Sequence, residues 1–241
     1  MLPPCCAETS GPLTTRPVHQ PVPTITQYAS PELIAGIAYG NGDPQDDPRW
    51  RETGAPSQSE YGRWCPHMCG MACLQMALLH RDGQAPDLFL LLAGARSFGA
   101  YVEHEDTIKG LIYWPFARYV REHHSMPATV HGELTMAELT AELDAGRMVM
   151  ASVSKGIRTP EQDPPKRGGH LVLVRGRTPA GEIAFTNPSG HTPDALAPTL
   201  PAARFADFFG GRGVSLDLRS PSRLAPDQTA AASPVASPLA S

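Results

Sequence analysis

The sequence predicts an α+β domain: helices come first, one of them opening on a cysteine, and an antiparallel sheet follows. Three observations carry this. Helix-periodic segments fill the first part of the chain, and strand-like segments follow them. The stretch Cys69-Gly70-Met71-Ala72-Cys73-Leu74-Gln75-Met76-Ala77-Leu78 reads as one apolar helix with Cys69 at its start. Thr178-Pro179-Ala180-Gly181 is a β-turn signal, with Pro second and Gly fourth, between two strand-like runs.

Taken in order, residues 22–27 read as a short strand and residues 31–39 as a short helix. Residues 40–63 read as a polar loop, with Asp-Pro and Gly-Ala-Pro turn signals. Residues 69–80 form the cysteine helix, with Leu74, Ala77 and Leu78 as its apolar stripe. Residues 87–95 and 107–123 read as further helices, the second split or kinked at Pro115. Residues 135–145 carry a full set of helix signals: Thr135 as N-cap, Glu138 completing a capping box, and Gly146 closing the helix. Residues 148–153, 170–176, 182–187 and 214–218 read as strands. No internal repeat is visible. The ends, residues 1–21 and 219–241, are rich in Pro, Ala, Ser and Thr and read as disordered, because they cannot bury enough surface to offset ordering entropy. One domain, residues 22–218, remains.

Composition narrows the function. With 41% apolar residues among 241, the chain can build a real core. Net charge is −4, from 20 basic and 24 acidic residues, with no basic run, which argues against nucleic acid as a partner. The longest apolar stretch, residues 88–93, is too short for a bilayer, so no membrane partner is expected. Met1-Leu2-Pro3-Pro4-Cys5-Cys6 has neither the basic nor the apolar region of a secretory signal. Five cysteines, all within the first 73 residues, do not form a disulfide framework. A reducing, cytoplasmic compartment is expected, which suits thiol chemistry.

Cys69 is the candidate nucleophile, because a helix N-terminus favours the thiolate. Far downstream come Gly168-Gly169-His170-Leu171-Val172 and Phe185-Thr186-Asn187-Pro188. Cysteine, histidine and asparagine supply a nucleophile, a base and an orienting group. If Arg177 pairs with Glu182 across the hairpin, Val172 faces Asn187. His170 and Asn187 are then diagonal neighbours on the face of Val172, Val174, Phe185 and Ile183. A slip of one residue would part them. Gly168 and Gly169 allow close backbone approach beside the base. Plainer roles exist for each: a buried thiol for Cys69, a structural His170, and an Asn187 that only starts the Asn-Pro-Ser-Gly turn. Cys73 falls on the same helix face as Cys69. The spacing of Cys65, Cys69 and Cys73 matches no common zinc pattern, so no metal is expected. The loop 155–168 reads either as a flank of the cleft or as a flexible connection.

Together these motifs resemble the papain-superfamily cysteine peptidases, and among them the bacteriocin-processing peptidase family C-thirty-nine. The resemblance runs from about residue 22 to about residue 218. It implies a papain-like fold, with the cysteine helix packed against the antiparallel sheet, and cleavage of a peptide or amide bond in a peptide or small amide substrate. It implies Cys69 as nucleophile, His170 as base, Asn187 as orienter, and no cofactor. It also implies a glutamine that donates to the oxyanion. Gln27, in Val22-Pro23-Thr24-Ile25-Thr26-Gln27, follows the family's Val-Pro-strand pattern, although the family's glutamine lies nearer the cysteine than here. Gln58 is the substitute. Two alternatives use the same residues: an acyltransferase or amide-forming enzyme whose acceptor is not water, and a non-catalytic peptide-binding relative.

Overall fold

The computed structural model describes residues 21–219, apart from Asp106 and Pro165. The expected disordered ends, 1–21 and 219–241, therefore fall almost wholly outside the described residues. Helix α1 (Ile34–Tyr39) extends a 3-10 turn at Pro31–Leu33. The segment read as loop is more ordered than its composition suggests: it holds two 3-10 turns and ends in α2 (Gln58–Trp64), which Ser57 caps by accepting the Glu60 N–H. The cysteine helix α3 (Cys69–Asp82) and α4 (Leu88–Ser97) follow. Next come the hairpin strands β1 (Val102–His104) and β2 (Thr107–Lys109), then α5 (Tyr113–His124).

Residues 107–123 are thus not one helix. Pro115 causes no break, because it sits in the first turn of α5, where the N–H has no intrahelical acceptor. Residues 22–26 form no regular element and residue 27 begins a bend, so the segment joins no sheet. Pro21 and Pro23 lack the N–H groups that a ladder needs.

The second half builds the main sheet from β3 (Ala128–His131), β4 (Met148–Ser154), β5 (Gly169–Arg177), β6 (Ile183–Thr186), β7 (Thr199–Leu200) and β8 (Phe209–Leu216). Helix α6 (Met136–Asp144) has the full capping box between Thr135 and Glu138. Helices α7 (Pro193–Leu196) and α8 (Ala202–Phe208) complete the described chain. The strands are antiparallel, in the order β3-β8-β4-β5-β6-β7. The fold is α+β, with the cysteine helix packed against an antiparallel sheet, as the sequence predicts. Among the described residues, no helix is long and apolar enough to cross a membrane.

Two cores explain the patterning. On one face, Met148, Met150, Leu171, Leu173, Val214 and Leu216 pack under α1–α5. On the other, Val149, Ala151, Val153, Val172, Val174 and Phe185 meet side chains of α6 and α8. Strand β4 is covered on both faces and so reads as a continuous run, not an alternation. Helix α3 is buried almost all round, which is why a single stripe of Leu74, Ala77 and Leu78 understates it.

Candidate active site

Cys69 is the first residue of α3, and Gly70 follows it. A Cβ on Gly70 would lie 2.7 Å from Leu111 Cδ2 and 3.3 Å from Leu171 Cδ1, so a larger residue would have to push those side-chain tips aside at the helix start. Cys69 is half-buried, whereas Cys65 and Cys73 are fully buried. Burial pushes all three thiols up. Cys65 rises to about 12 and Cys73 well above its ordinary value. For Cys69 the rise is opposed by the backbone N–H groups of Leu171 and Gly70, and then by the charges of Arg158 and Lys155. The helix start therefore does what the sequence leads one to expect, but burial outweighs it, and the resting group is a thiol. Cys73 packs deeper, its S–H donating to the Leu171 carbonyl at 3.8 Å. One residue of β5 thus meets both cysteines.

The residue before Leu171 is His170, which is 4% exposed. Its Nε2 lies 2.8 Å from Asn187 Oδ1. The orientation of the Asn187 amide follows from Ser189, whose backbone N–H donates to the same Oδ1 at 3.1 Å. Oδ1 is an acceptor only, so Nε2 of His170 carries the proton and Nδ1 keeps its lone pair. Ser189 Oγ lies 3.1 Å from Nε2 and 3.2 Å from Oδ1, and Arg158 Nε donates to it at 2.7 Å. Burial first, and then the Arg158 charge, depress His170 to about 3, although the Asn187 bond pulls the other way. At neutral pH the ring is uncharged.

The hairpin reaches this pairing by a different route from the one expected. Arg177 pairs with Ile183 and Gly176 with Ala184, one residue off the assumed register. A bulge between Val174 and Gly176 takes up the difference, and Val174 then faces Phe185 and Leu173 faces Thr186. By alternation, His170 and Asn187 belong to the face that bears α6 and α8, whereas Leu171 and Leu173 lie against α3. The thiol meets β5 through the Leu171 N–H, and the ring's polar contacts are with Asn187 and Ser189.

Gln27 is far from Cys69 in sequence but close to its setting in space. Its backbone N–H donates to the Pro188 carbonyl at 2.8 Å, beside Asn187. Its side-chain Nε2 donates to the Cys65 carbonyl at 2.7 Å, one helical turn before Cys69. The amide has two N–H groups, so one remains after the Cys65 bond. Its Oε1 is buried with no partner among the described residues. Gln58, by contrast, is exposed at the start of α2, and its amide donates to the Gln45 carbonyl. Residues the sequence does not single out complete the surroundings: Arg158, Ser189 and Tyr39. The Tyr39 hydroxyl donates to the Ser189 carbonyl at 3.3 Å, and the Arg158 guanidinium lies 5.4 Å from the Tyr39 ring centre. The only sequence signals were the Asn-Pro-Ser turn and the charge of the 155–168 loop.

No family model matches the chain, and no curated protein matches it. Among solved structures it is similar to the peptidase domain of Streptococcus ComA, a bi-functional ABC transporter involved in a quorum-sensing pathway. That likeness has 15% identity and a TM-score of 0.44, over 62% of this chain and 90% of that one.

Proposed function

We propose that the protein is a papain-like thiol hydrolase that cleaves a peptide or amide bond, with Cys69 as nucleophile and His170 as base. The observation that carries this is the fixed tautomer of His170. Ser189 orients the Asn187 amide, Asn187 holds the Nε2 proton, and Nδ1 is left basic on the strand whose next N–H meets the Cys69 thiol.

The steps follow from these groups. Acylation requires the Cys69 thiol to reach His170 Nδ1, a contact that commonly tightens only with substrate in place. The thiol proton passes to Nδ1 as sulfur bonds to the carbonyl carbon, and the carbonyl π pair moves to oxygen. The remaining Gln27 N–H and the N-terminal amides of α3 donate to that oxyanion. Collapse breaks the carbon–nitrogen bond, and the imidazolium proton leaves with the amine. Water, deprotonated by the same ring, then attacks the thioester and frees the acid and the thiol. A different acceptor at this last step would make the protein an acyltransferase without changing the residues of acylation.

The test is intact-mass analysis after a limiting amount of iodoacetamide, followed by peptide mapping. Cys69 is expected to be alkylated before Cys65 and Cys73, and His170→Gln is expected to slow it at least tenfold at neutral pH. Prior labelling of Cys65, or an unchanged rate in folded His170→Gln, would rule out this nucleophile and base.

A further inference from the structure

We propose that this site, read as the thiol hydrolase above, acts on a substrate with a carboxylate close to its reacting carbonyl. Lys155 and Arg212 hold that carboxylate above the Gly168–Gly169 backbone. Both glycines have left-handed backbones, with φ of +77° and +97°, and they lead directly into His170. A Cβ on Gly168 would lie 3.2 Å from Arg212 Nη2 and 3.4 Å from Ser152 Oγ, and one on Gly169 would lie 4.0 Å from Lys155 Cγ. A guanidinium thus covers one glycine and a lysine stem the other.

Both cations are exposed, and neither joins an ion pair among the described residues. Arg158, which also reaches the site, hydrogen-bonds Ser189 Oγ and the Ala38 carbonyl and joins no ion pair among the described residues. Three positive charges with no acid partner among the described residues therefore gather at one place on a chain whose net charge is −4. Lys155 is near enough to influence Cys69, His170 and His67. Arg212 and Ser152 both act on the Tyr113 hydroxyl, which also feels Cys69. The Arg212 fork, the Lys155 ammonium and the Tyr113 hydroxyl suit the two oxygens of a carboxylate. Support of the thiolate alone accounts for Lys155 and Arg158, but not for Arg212 over Gly168. The carboxylate can be the C-terminus of a peptide or an acidic side chain.

The test compares two alkylating reagents of nearly equal shape, anionic iodoacetate and neutral iodoacetamide, on Cys69. Taking the ratio of their rates cancels any change in thiolate fraction. The ratio is expected to exceed that of free cysteine, to fall about threefold in Lys155→Gln and again in Arg212→Gln, and to collapse toward the free-thiol value near ~1 M NaCl. Protection of Cys69 by N-acetyl-glycyl-glycine over its amide would point to a C-terminal carboxylate. Protection by N-acetyl-aspartate amide over N-acetyl-asparagine amide would point to a side chain. Equal ratios in wild type and the double variant, with Cys69 still labelled first by iodoacetamide, would overturn the anion site alone. Iodoacetamide labelling of Cys65 or Cys73 first would overturn the enzyme reading and this inference with it.

Discussion

At the scale of single residues, the pair His170 and Asn187 was legible because hairpin geometry is local and alternates with a period of two. Ser189 and Arg158 were not legible, because their contacts join a turn to a 3-10 segment about 30 residues away. They lead to a graded expectation. Asn187→Ala is expected to keep part of the activity, and Ser189→Ala to keep more. Removing Ser189 Oγ loses the Arg158 bond and the hydroxyl contacts with His170 and Asn187, but leaves the backbone N–H that orients Asn187. Equal loss in the two variants, measured as the rate of Cys69 acylation by a peptide electrophile, would contradict that order. Gln27→Ala is expected to lower the same rate about a hundredfold. It should also cost about 1 kcal/mol of stability, since the buried Nε2 bond to Cys65 is lost. A near-normal rate would remove Gln27 from the chemistry, and a large loss in Gln58→Ala would transfer the role.

Among the elements, the long and well-punctuated ones were readable and the short ones were not. Helix α6 announces both of its ends through Thr135, Glu138 and Gly146. Strands β1 and β2 have three residues each and carry no periodicity to read, so Thr107–Lys109 falls inside the helix that the sequence predicts over residues 107–123. The Arg175 bulge is invisible in sequence because an extra residue on one strand leaves the polarity pattern almost unchanged. Gly213 is similarly silent. A Cβ there would lie 2.4 Å from the Met150 carbonyl oxygen, so the close approach of β4 and β8 excludes every other residue. Gly213→Ala is expected to destabilise the protein by about 1–3 kcal/mol, because only backbone can move to relieve the clash. Denaturant unfolding would measure this, and a loss under about 0.5 kcal/mol would mean that the strands part more easily than their packing suggests.

For the whole molecule, buried neutral histidine links folding to pH. His170 has an ordinary value of 6.5 and a folded value of about 3, so between these the unfolded chain binds a proton that the folded chain refuses. Its contribution is complete above pH 6.5 and is lost as pH falls toward about 3. His67 and His124 are depressed too, with the same sign. Stability is expected to drop by about 2 kcal/mol on going from about pH 6.5 to about pH 5 through His170 alone, and His170→Gln should flatten the curve by that amount. Parallel melting curves for the two proteins would show that the ring is protonated when folded. The same residue-by-residue economy appears in Gln27, which grips the cysteine layer through Cys65 and the sheet layer through Pro188. It works as an interlock. A chain whose two layers have not yet docked cannot hold both grips, so its thiol is exposed without the amide beside it. During synthesis, the setting of Cys69 and the docking of the two layers would then be completed together.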